Sequence, residues 1–200
     1  MAPLFKQIGK VLLLFLALTT AASAHTDAGT MSGGFLSGFT HPLFGLDHVL
    51  AMVAVGLWGA FLGRPAIWVL PVVFPLVMAF GGALGVIGVP LPGVEIGIAL
   101  SALVLGLMVL LAVRPPLWVA AVLVGAFAIF HGHAHGTELP TAANPLLFSL
   151  GFVVATGMLH LVGIAFGELS RWSWGAMVVR TGGALISLAG VGFLTGWLVA

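Results

Sequence analysis

The chain has 200 residues, 61% of them hydrophobic and only 6% Asp, Glu, Lys or Arg, with a net charge of +1 and a mean hydropathy of +1.26. Soluble domains carry about 25% charged residues, so six basic and five acidic side chains cannot clothe a water-facing surface, and a soluble enzyme is excluded. The balanced charge argues against nucleic acid as a partner, and the absence of cysteine removes disulfides, thiolate metal sites and thiol nucleophiles.

Residues 1–24 carry Lys6 and Lys10, then the apolar stretch Val11 to Leu18, then a small-residue tail ending Ala22-Ser23-Ala24. That order predicts a secretory signal peptide cleaved after Ala24, leaving 25–200 as a single membrane domain. An uncleaved first helix is the alternative. Beyond it, six apolar runs are expected to span the bilayer, at 43–62, 66–88, 94–113, 117–136, 146–168 and 178–199. Prolines 65, 90, 92, 115, 116 and 140 fall between runs, where helices break. Pro71 and Pro75 lie inside the second run and predict a kink. The expected fold class is therefore all-α, a polytopic transmembrane helix bundle with six mature spans after a signal peptide.

Arg64, Arg114, Arg171 and Arg180 all fall at alternate connections, whereas 89–93 and 137–145 contain no Lys or Arg. The positive-inside rule then places the protein in a bacterial inner membrane with both mature termini in the periplasm. Trp58, Trp68, Trp118, Trp172 and Trp174 are expected at the cytoplasmic interface and Trp197 at the outer one. Glycine pairs four residues apart (34/38, 59/63, 81/85, 93/97, 163/167 and 192/196) predict close helix contacts, either within one bundle or in a homo-oligomer.

The few ionisable groups are concentrated in two segments. His41-Pro-Leu-Phe-Gly-Leu-Asp47-His48 opens the first span, and His131-Gly-His133-Ala-His135-Gly-Thr-Glu138 closes the fourth. His41 and His48 are two helical turns apart, with Asp47 either a ligand or a hydrogen-bonded support for an imidazole. His131, His135 and Glu138 form a nitrogen–nitrogen–oxygen stripe, while His133 faces almost the opposite way unless Gly132 and Gly136 break the helix. His160 sits deep in the fifth run on the same face as Thr156, suited either to a relay or transient ligand or to helix packing. Glu95 reads first as a charge at a helix start, Glu168 as an ion-pair partner of Arg171, and Met52 and Met158 first as apolar fillers. Polar groups in lipid are costly, so packing explains such clusters poorly.

Imidazole with carboxylate suits nickel, cobalt, zinc or cupric copper better than magnesium, calcium or cuprous copper. A permease for such an ion fits the layout. A zinc-dependent intramembrane hydrolase and a metal-binding accessory or sensor protein are the competing readings.

His41-x5-Asp47-His48 and Phe130-His131-Gly132-His133-Ala134-His135-Gly136-x-Glu138 resemble the two signature motifs of the HupE/UreJ family. The resemblance implies uptake of nickel, with cobalt as the alternative substrate, to supply hydrogenase or urease maturation. By that resemblance His41, Asp47, His48, His131, His135 and Glu138 mediate uptake, and His133 occupies a histidine-bearing position of the second motif. No nucleotide-binding loop is present, so no ATP-driven motor lies within the chain.

Overall fold

Proline and glycine decide where each helix begins and ends. The computed structural model describes residues 34–139 and 144–198. The signal segment expected at 1–24 lies outside the described residues. Helices α1 (Phe35–Phe44) and α2 (Leu46–Leu62) meet at Gly45, whose extended backbone turns the chain by 85°. Helix α3 (Ala66–Val86) follows Pro65 and contains Pro71 and Pro75, which withhold the N–H groups that would bind the carbonyls four residues back. Helix α4 (Val94–Leu110) starts after Gly93 in the left-handed conformation, and α5 (Leu117–Thr137) follows the Pro115-Pro116 pair. Asn144 caps α6 (Pro145–Gly167), its Oδ1 accepting from the Leu146 and Leu147 amides at 3.0 and 3.2 Å. A 3₁₀ turn (Glu168–Arg171) leads into α7 (Ser173–Leu194).

The expected six spans are corrected by these lengths. Among the described residues four helices are long and apolar enough to cross a bilayer, namely α3, α5, α6 with its 3₁₀ extension, and α7. The α1–α2 pair makes a fifth if the bent unit counts as one span. The run at 43–62 is broken because Gly45 interrupts it. The run at 94–113 gives only the 17 residues of α4, since Ala112 takes a positive φ ahead of the Pro115-Pro116 pair. At 1.5 Å per residue that is roughly 25 Å, short of a hydrocarbon core of about 30 Å. The protein is an all-α, multi-pass membrane bundle with four such helices, or five.

The helices pack as close pairs, α3 on α5, α4 on α7, and both α1 and α2 on α6. Lipid offers little hydrophobic drive for such pairing, so backbone proximity has to supply it through dispersion. A methyl group built on Gly132 or Gly136 would overlap the carbonyls of Met78 or Gly82, and Gly56 and Gly163 meet the opposing backbone in the same way. Of the glycine pairs expected from spacing, 81/85 and 163/167 lie at crossings, whereas Gly63, Gly93 and Gly196 have positive φ and open space around them. Spacing alone mixed turn glycines with packing glycines.

The two ends of the bundle differ in chemistry. Where α2 and α4 end, the Trp58 indole N–H donates to the Val113 carbonyl at 3.1 Å and Arg114 lies 4.5 Å over the Phe61 ring. Arg180 donates to the Leu110 carbonyl at 2.8 Å, and Arg171 pairs with Glu168 at 2.6 Å. Trp58 lies at this end packed wholly inside the protein, while Trp68, Trp118, Trp172, Trp174 and Trp197 are exposed. The opposite end, where α1 turns into α2 and α5 terminates, carries the histidines.

Candidate metal centre

The elbow at Gly45 brings the first motif together. A Cβ at Gly45 would stand 3.0 Å from both Asp47 Oδ1 and His48 Nδ1, so only glycine leaves these side chains their present positions. Asp47 sits in the first turn of α2, where the helix amino end favours a negative charge. The turn also lets His41 and His48, on different helices, approach one side chain from α5. The His135 ring centroid is 4.9 Å from that of His41 and 4.4 Å from that of His48. His131, one turn earlier on α5, lies 4.7 Å from His48 in an edge-on arrangement.

Hydrogen bonding fixes two of the imidazole tautomers. His48 Nδ1 and Asp47 Oδ1 are 2.8 Å apart, and a carboxylate only accepts, so Nδ1 carries the proton and Nε2 keeps its lone pair. Ser101 has one hydroxyl proton and donates it to the Ile98 carbonyl at 2.6 Å. It must therefore accept from His131 Nε2 at 2.9 Å, which leaves the lone pair on His131 Nδ1. Asp47 and Ser101 thus orient imidazoles through the nitrogen that does not face a ligand, the arrangement found behind metal-binding histidines.

His48 Nε2, His131 Nδ1 and both nitrogens of His135 are buried and make no hydrogen bond. Each unpaired buried polar group costs about 1–3 kcal/mol, a cost that binding an ion with these lone pairs would offset. Closer to solvent, His41, His135 and Glu138 place one potential ligand atom each within 4.8 Å of one another. His41 Nε2 is 3.8 Å from Glu138 Oε2, and both side chains are substantially exposed, at 39% and 58%. Two ligands directly opposite each other on a borderline ion are about 4.2 Å apart and neighbouring ligands are closer. The trio must therefore draw together to hold a divalent cation. This donor set, imidazoles with one carboxylate, suits a borderline divalent ion such as nickel, cobalt, zinc or cupric copper.

The structure brings His41, His48, His131, His135 and Glu138 into one continuous group, with Asp47 supporting His48. Helix α5 runs unbroken to Thr137, so His133 points away and its Nε2 donates to the Val89 carbonyl at 2.7 Å. His160 lies deeper, its ring 5.6 Å from Phe74, which is itself 5.6 Å from His131. Glu95 is exposed at the start of α4, Glu168 pairs with Arg171, Met52 is buried and Met158 is exposed. Sequence reasoning missed Ser101, Gly45, Phe74 and Phe152, whose ring sits 4.3 Å from His135. A lone serine within an apolar helix was the available signal for Ser101. The aromatic residues gave none, because apolar rings are common in any membrane helix.

A crevice of about 350 Å³ between α3, α5 and α6 also reaches His135, but Met78, Val86, Phe148, Phe152 and similar apolar groups line it. Its apolar walls suit a lipid chain better than an ion. The polar approach to the histidines is the His41–Glu138 mouth.

A multi-pass helix bundle that buries oriented imidazoles beneath an exposed histidine–carboxylate mouth is a metal-handling membrane protein. The HupE / UreJ protein family model matches residues 13–193. Protein HupE of Rhizobium leguminosarum bv. viciae is 46% identical over 187 residues, covering 94% of this chain and 98% of that protein. No solved structure matches the chain. The chain belongs to the HupE/UreJ family of nickel/cobalt permeases, as the two motifs implied. It is a permease rather than an enzyme, and the hydrolase reading falls away.

Proposed function

We propose that the protein takes up nickel ions, with cobalt as a second substrate, through the histidine end of the bundle. The observation carrying this reading is the convergence of the elbow histidines and the α5 histidines beneath the His41–His135–Glu138 mouth. In this reading the exposed carboxylate and His41 draw the hydrated ion in and replace part of its water shell. His135, His48 and His131 then offer successive lone pairs in a drier environment, with ring centroids 4.4 to 4.9 Å apart. Release requires moderate affinity at each position, which suits ligands that must move to engage. His133 is assigned a structural role, fastening the chain after α3.

The arginine-bearing end faces the cytoplasm of the inner membrane by the positive-inside rule, and the histidine end faces the periplasm. Uptake then runs inward and supplies a hydrogenase or urease maturation system. Reconstitution in proteoliposomes tests the transport reading. Initial nickel uptake should be inhibited by cobalt and abolished by His135→Ala, and uptake unaffected by that substitution at matched protein level would refute it. The native chain contains no cysteine, so Thr137→Cys and Ser173→Cys test orientation with a membrane-impermeant thiol reagent on intact cells. Labelling at residue 173 but not at 137 would reverse the direction.

A further inference from the structure

Below the outer histidines lies a second polar pair that the mouth does not use. Thr156 and His160 are one turn apart on the inner face of α6, 0% and 1% exposed. Thr156 Oγ1 and both ring nitrogens of His160 make no hydrogen bond. Among the other described threonines only Thr181, which is exposed to its surroundings, likewise shows no such bond. The hydroxyls of Thr40, Thr137 and Thr195 each bond a carbonyl of their own helix, at 2.9, 2.8 and 2.9 Å. A helical threonine facing apolar surroundings normally does the same, so the unpaired Thr156 hydroxyl is left available to something else.

Helix α3 supplies a third group. Pro75 has no N–H to give the Pro71 carbonyl, and that carbonyl is close enough to the His160 ring to act on it, although neither ring nitrogen is held in a well-formed hydrogen bond. The pair is also connected to the outer cluster. Thr156 and His160 follow Phe152 at four-residue intervals on α6, roughly 6 Å of rise each, and Phe152 packs on His135. From the other side the Phe74 ring lies 5.6 Å from both His131 and His160.

We propose that Thr156 and His160, with the freed Pro71 carbonyl, form an inner site for a borderline divalent cation that receives the ion from the outer histidines. This rests on the transport reading above and deepens it. Imidazole nitrogen with neutral oxygens accommodates such an ion. Without a carboxylate the site leaves the full charge of the ion uncompensated, so it holds the ion weakly. Weak binding in the interior, below a tighter entrance, allows the ion to move on.

The test uses the full chain, purified and reconstituted, with nickel chloride as probe. The wild type should bind a tight and a weaker equivalent of nickel and take the ion up. Thr156→Val keeps the shape and removes the hydroxyl. It and His160→Leu should lose the weaker equivalent, keep the tighter one, and slow initial uptake by about tenfold or more, with Thr156→Ser retaining both equivalents and most of the rate. Should His160→Leu fail to assemble, Thr156→Val carries the test. Wild-type uptake in Thr156→Val, or slowed uptake with both equivalents retained, overturns the inner site while leaving the permease reading intact. A wild type that neither binds nor transports nickel overturns both.

Discussion

Substituting Gly45 by alanine isolates the effect of the elbow on metal handling. The backbone there has φ −81° and ψ 110°, a region any residue adopts, so alanine introduces no torsional strain. What changes is space. The new Cβ would lie 3.0 Å from Asp47 Oδ1 and 3.0 Å from His48 Nδ1, a few tenths of an ångström inside ordinary contact. Both atoms belong to the 2.8 Å bond that fixes the His48 tautomer, so relief must lengthen or tilt that bond and turn His48 Nε2 away from His131 and His135. Perturbing the support behind a metal-binding histidine costs 10- to 100-fold in affinity or activity, and we expect initial nickel uptake to fall about tenfold for Gly45→Ala. Thermal stability should fall by no more than about 1 kcal/mol, because the one buried interaction disturbed is the Asp47–His48 bond. The assay is uptake into proteoliposomes at matched protein level, with melting temperature measured in parallel. Wild-type uptake in Gly45→Ala would refute the argument that the Asp47–His48 geometry matters to transport, and reduced uptake tracking a large drop in melting temperature would refute its local origin.

Ser101→Ala removes the acceptor that holds the His131 tautomer and should lower nickel affinity about tenfold, read by equilibrium dialysis, with an unchanged affinity counting against a ligand role for His131. His133→Ala should instead leave uptake intact and lower stability by about 1 kcal/mol through loss of its bond to the Val89 carbonyl, measured by thermal unfolding in detergent; lost transport without lost stability would return His133 to the site. Gly132→Ala places a methyl group within the Met78 carbonyl and should destabilise the α3–α5 pair by about 1–3 kcal/mol. Gly157→Ala, with nothing within 4 Å, is its neutral control, and equal melting temperatures for the two variants would contradict the packing account.

Composition alone settled that this is a membrane protein, since 61% hydrophobic and 6% charged residues leave no soluble alternative. Two local motifs were enough to identify the family, because chemistry of this kind is written in short segments whose residues stay close along the chain. Helix continuity was not legible in the same way. An apolar run reads alike whether it forms one straight span or bends by 85° at Gly45, and hydropathy does not reveal that α4 stops after 17 residues. The sites had a similar division. His131 and His135 share a face by helical period alone, which is a property of one helix. Which face meets the elbow, that Ser101 on α4 fixes one imidazole, and that Phe74 lies against both His131 and His160 depend on contacts between residues 30 to 94 positions apart in the numbering. Such contacts arise from close backbone packing at glycines, and neither spacing nor polarity along the chain encodes the partner that each glycine will meet.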